Sequence, residues 1–149
     1  MKALLISLAL LLIAPETGAT GKQTTWRIED YTHEAWNGII AETVDDFSAS
    51  LPAGAPNLVY VRKAAMRCGD VPKQKRGHKR ARIVVCTEPD LGPHPLFGRP
   101  IYGMALPYTR VTFSDTVETP WTATSREQVA CHEFAHAIMT NLRALEPAT

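Results

Sequence analysis

Three cysteines in 149 residues are too few for a disulfide-dense miniprotein, and positions 68, 86 and 131 include no C-x-x-C pair of the kind that holds metal or shuttles electrons. One thiol must stay unpaired within this chain. A dominant charge sign is lacking too. The 16 Lys+Arg face 15 Asp+Glu, which excludes disorder driven by self-repulsion and a chain whose overall charge seeks out nucleic acid. Internal repeats and low-complexity tracts are absent. No apolar run is long enough to span a bilayer: residues 3–14, broken only by Ser7, end at Pro15. What remains, at 45% hydrophobic residues, suits one globular domain and rules out a large multidomain machine.

The short apolar run follows Lys2 and leads through Pro15 and Gly18 to the small residues Thr17-Gly18-Ala19. This is the pattern of a secretory signal peptide over residues 1–19, cleaved after Ala19 to leave residues 20–149 as a secreted domain without a membrane anchor. An uncleaved anchor is the competing reading, but the run lacks the length and the charged stop that it needs. Export permits disulfides, so Cys68 and Cys86 form a plausible bridge, worth about 3 kcal/mol by loop closure. A domain of this size should bury about two thirds of its unfolded surface, enough for a core without heavy stapling.

Along residues 20–149, Thr24 to Ile28 reads as a short strand ahead of an acidic turn. Between Thr32 and Ser48, Trp36, Ile40, Val44 and Phe47 fall on one stripe and predict a core-facing helix. Residues 50–56, with two prolines and a glycine, end it, and Leu58 to Val61 reads as a buried strand. Six cationic residues between Lys73 and Arg82 predict a solvated hairpin or loop, with a docking surface for an acidic partner as the alternative. No aromatic residues interleave them to stack bases, which argues against nucleic acid. Ile83 to Val85 reads as a second buried strand, residues 89–100 as a proline-rich loop, and Ile101 to Leu106 and Thr109 to Phe113 as two more strands. The fold class expected is α/β: a small mixed, twisted sheet, one amphipathic helix packed on it, and a further helix at the end of the chain.

That last helix carries the chemistry. Thr124 and Ser125 precede Glu127 and Gln128 at capping-box spacing, so a helix should begin there and run through Val129, Phe134 and Ile138. On it lies His132-Glu133-Phe134-Ala135-His136. Four helical residues turn His136 only about 40° from His132 and raise it about 6 Å, so both imidazoles can aim at one ion. Glu133, about 60° from His136, stands beside that ion without ligating it, where it can take a proton from water and return it to a leaving amine. Zinc held by two imidazoles and a third protein ligand would bring a water to a pKa of about 7.

Here the chain resembles the matrixin-like zinc metallopeptidases of the metzincin and wider zincin group. Thr25 to Ile28 is similar to the first strand of that family and the Trp36 to Phe47 stripe to its first long helix. Gly103-Met104-Ala105-Leu106-Pro107 resembles the edge strand that pairs with substrate. Val111 to Asp115, then Trp121-Thr122, resembles the approach to the active-site helix. The resemblance implies a zincin-like domain over residues 20–149 and a secreted zinc-dependent endopeptidase. His132 and His136 would be its Zn2+ ligands, Glu133 its general base, and an extended peptide along the sheet edge its substrate. Met66-Arg67-Cys68-Gly69 is similar to a propeptide run whose thiolate caps the zinc, but its place after the second strand favours the bridge to Cys86.

The chain also departs from the family. Where metzincins have a helix-breaking glycine and a third ligand, seven and ten residues after the first histidine, Met139 and Leu142 stand here; the first favours continued helix and the second has no donor atom. Glu146 and the loop histidine His94 are the nearest substitutes, with His33 and His78 behind them. Cys131, unpaired if Cys68 bridges Cys86, would find its partner in chain beyond Thr149, or is a small buried helix residue. The expectation is therefore a truncated chain, or a relative that has lost its C-terminal subdomain. A non-catalytic module with weak or no zinc binding is the main alternative, and a polyanion-binding protein acting through Lys73 to Arg82 is a third.

Overall fold

A computed structural model describes residues 24–73, 82–106, 109–115 and 123–143, with side chains of the last segment described over 125–138. The expected signal peptide, most of the basic segment including His78, Trp121 and Glu146 lie outside the described residues.

Strands β1 (Thr25–Asp30), β2 (Asn57–Arg62), β3 (Arg82–Glu88), β4 (Gly103–Leu106) and β5 (Arg110–Ser114) form one mixed sheet in the order β2-β1-β3-β5-β4. The first four in that order are parallel, and β4 closes one edge antiparallel to β5. Two helices, α1 (Ile39–Ser50) and α2 (Ala123–Arg143), pack on one face. The mixed α/β class is as the sequence predicts.

Strand β3 shows why its run of Ile83-Val84-Val85-Cys86 is buried throughout. Successive side chains point to opposite faces. Ile83 and Val85 join the helix-side core with Trp26, Ile28, Val111 and Phe113, while Val84 and Cys86 join a smaller cluster with Tyr31, Cys68 and Val71 on the far side. The segment after β2 covers that far side, tied down by the Cys68–Cys86 disulfide. Cys68 is thus committed to sulfur and is not a metal ligand.

The helix-side core is stitched by aromatic rings. Trp36 stacks on Phe113 at 4.2 Å between centroids, and Phe47 of α1 meets Phe134 of α2 at 6.4 Å. The predicted stripe of Trp36, Ile40, Val44 and Phe47 therefore faces the core, but not on one continuous helix. Trp36 sits on a single 3-10 turn, Glu34–Trp36, after which Gly38 takes φ +86° and α1 begins only at Ile39. A left-handed backbone is cheap for glycine alone, so Gly38 re-aims the chain at the point where an unbroken helix was expected. Strand β2 corrects a second expectation. As an edge strand it buries only Leu58, and Val59 is 39% exposed.

At the C-terminal end of β1, a polar knot fixes the parallel strands. The fully buried Asp30 carboxylate accepts from the Thr32 backbone and hydroxyl at 2.8 and 2.7 Å and from Tyr60 Oη at 2.8 Å, and pairs with Arg62 at 2.7 Å. Burial and the neighbouring Asp30 charge push the Tyr60 phenol up to about 12. Next to it, Glu29 accepts from Arg82 at 2.7 Å and from Tyr31 at 2.9 Å. Burial alone would raise the Glu29 carboxyl; the two donors outweigh it and hold the group below the usual range.

Candidate metal and catalytic site

Helix α2 is anchored by Ala130, Phe134, Ala137 and Ile138, all buried against the sheet. It begins at Ala123, so Thr124 and Ser125 lie inside its first turn rather than ahead of it, and the capping-box expectation fails. It also runs on through positions 139 and 142 to Arg143, with no break at the place where the resemblance calls for one.

With that stripe turned to the core, one helical turn places His132 and His136 side by side on the exposed flank. Their Nε2 atoms are 3.1 Å apart and their rings stand at 81° to each other. Two nitrogens held by one tetrahedral zinc at the usual bond length lie about 3.3 Å apart, so the pair fits such an ion.

Glu133, next to that pair on α2, reaches Gly103 of β4 and is buried. The carbonyl of Tyr102 accepts from Ser114 N–H on β5, so alternation turns the backbone groups of Gly103 and Ala105 to the outer edge of the sheet. There the Ala105 N–H donates to the Glu133 carboxylate. Burial pushes that carboxyl above its ordinary range, against the opposing pull of His132, His136 and the Ala105 N–H.

Two adjoining cavities open beside this group. One of about 750 Å³ is lined by His94, Phe97, Ile101, Gly103, Val129, His132 and Glu133, and one of about 540 Å³ adds Met104, Ala105 and His136. The structure therefore brings together His132, Glu133 and His136, and sets His94 on a shared wall. Among the described residues, no group of three His, Cys, Asp or Glu side chains is placed to hold a metal ion. His33 is elsewhere, 3.3 Å from Asp115 beyond the end of β5. Cys131 is a free thiol on the exposed side of α2, which overturns its reading as a small buried residue.

The sequence reading sets Gly103 on the edge strand but gives the glycine itself no role. A β-carbon there would lie 2.7 Å from Glu133 Cγ and 2.9 Å from Val129 Cγ1, so only glycine lets α2 approach the edge strand this closely. The signal was available, since a glycine at the start of a strand marks close approach of a neighbour.

Comparison with protein-family models, with characterised proteins and with solved structures found no match to this chain.

Proposed function

We propose that this chain is a zincin-like, matrixin-type metallopeptidase domain, secreted by way of the signal-like residues 1–19, that hydrolyses internal peptide bonds. The observation that carries the reading is the convergence of His132 and His136 at 3.1 Å beside a buried Glu133 on the sheet edge.

His132 and His136 would hold Zn2+, which when bound supplies Lewis-acid polarisation of a peptide carbonyl and a water that ionises near neutral pH. With the Ala105 N–H taken by Glu133, the outward-facing backbone of Gly103 and the Ala105 carbonyl offer an extended peptide a place to add as a further strand, which sets its scissile bond across the cavities. Glu133 accepts a proton from water as the water oxygen adds to the carbonyl carbon, then delivers that proton to the amine nitrogen as the C–N bond breaks. A carboxyl raised by burial is better suited to both transfers than an ordinary one, because it holds and releases a proton closer to working pH.

The test is Glu133→Gln in the full chain, read by zinc content and by cleavage of an internally quenched peptide. Zinc should stay bound while cleavage falls by about 10³-fold or more; retained turnover refutes Glu133 as the base. One observation favours a second reading, a non-catalytic secreted module: no third donor stands with the two imidazoles among the described residues. Stoichiometric zinc without cleavage by the wild-type chain decides for that module.

A further inference from the structure

Building on the peptidase reading above, we infer that His94 donates a hydrogen bond from Nε2 to the carbonyl oxygen of the scissile peptide, and is not the third metal ligand. The half-buried His94 lines both cavities together with His132 and Glu133, so a peptide seated in them meets this side chain as well as those two.

Its place is fixed by its own turn. The His94 N–H donates to the Arg99 carbonyl at 2.7 Å, and the His94 carbonyl accepts from Phe97 and Gly98 at 3.2 and 2.8 Å. Gly98 supplies the φ of +62° that closes the turn, and the imidazole stacks on Phe97 at 4.8 Å between centroids.

The ring's tautomer follows from one contact. The Leu96 N–H donates to His94 Nδ1 at 3.2 Å, so Nδ1 carries a lone pair and the neutral ring bears its hydrogen on Nε2. Ligation through Nε2 would move that hydrogen to Nδ1, head-on against the Leu96 N–H. Donation through Nε2 leaves the contact intact. A donor held in advance against an oxygen that gains negative charge during the reaction stabilises the transition state more than the ground state. No bond to His94 forms or breaks, and its proton stays on Nε2 throughout.

The experiment uses the full chain with His94→Phe, which keeps a ring to stack on Phe97, and with His94→Gln, which keeps an N–H donor. Three readouts are taken: zinc affinity by competition with a chromogenic chelator, kcat and KM on an internally quenched peptide, and binding of a phosphinic peptide that mimics the charged oxygen. His94→Phe should lower kcat about 100-fold and weaken phosphinic-peptide binding to a similar degree, with KM and zinc affinity unchanged, and His94→Gln should restore part of the loss. A tenfold or greater loss of zinc affinity would make His94 a ligand and overturn the inference. Unchanged kcat would make it a passive wall and overturn it equally. A wild-type chain that does not cleave peptides overturns the peptidase reading and this inference together, a result distinct from either of the others.

Discussion

Gly103 and Glu133 are in such close register that the glycine's missing side chain is part of the site. The Glu133 Cγ occupies the space a β-carbon would take, 2.7 Å from its ideal position.

Gly103→Ala should therefore displace the Glu133 carboxylate, or push α2 off β4, at a stability cost of about 1–3 kcal/mol. The atoms that the added carbon would meet belong to Glu133 and Val129 and not to the histidines, so zinc affinity should change little while peptide cleavage falls at least tenfold. Steady-state kinetics together with metal titration check this, and wild-type cleavage by the variant would show that the carboxylate has room to spare.

The burial of Glu133 also sets a pH signature in the metal-free protein. A carboxyl raised in the folded state favours the protonated form. Its contribution to stability is thus fully present below the carboxyl's unfolded value and is lost as pH rises through its higher folded value. Glu133→Gln cannot ionise, so it should match the wild type near pH 4 and exceed it by a few degrees in Tm at pH 7. Thermal melts in the presence of chelator across that range provide the check; a Tm difference that does not widen with pH counts against a raised carboxyl.

Replacing Cys68 and Cys86 together by alanine should cost about 3 kcal/mol, the loop-closure value. The loss should show as a lower denaturant midpoint. Zinc affinity of the folded fraction should be untouched, because the bridge lies across the sheet from the histidines.

The parts of this structure that were legible in the sequence are those governed by local period. His132 and His136 share a flank because four residues make nearly one helical turn, and β3 reads as buried because its run is apolar whichever face a residue takes. Even the bridge could be read, since the export expected from residues 1–19 would permit two of three cysteines to pair. What escaped depends on long-range neighbours or on single backbone angles. The stripe through Trp36 and Ile40 hides the reversal at Gly38, because a 3-10 turn followed by a re-aimed helix presents the same residues to the core. Leu58 to Val61 reads as buried because composition does not say which strand lies at an edge. His94 reads as a solvated loop histidine until the turn closed by Arg99 sets it on the cavity wall, and Gly103 gains its meaning only from α2, a neighbour distant in sequence.

The far-side position of the disulfide has a practical corollary for making the protein. Many zinc proteins that rely on thiolates lose their donors when air oxidises them. Here the sulfur atoms that close the bridge and the ring nitrogens that converge on α2 belong to separate inventories. On the proposed zinc reading, oxidative refolding can be carried to completion first and the cation added last, without one step consuming what the other requires.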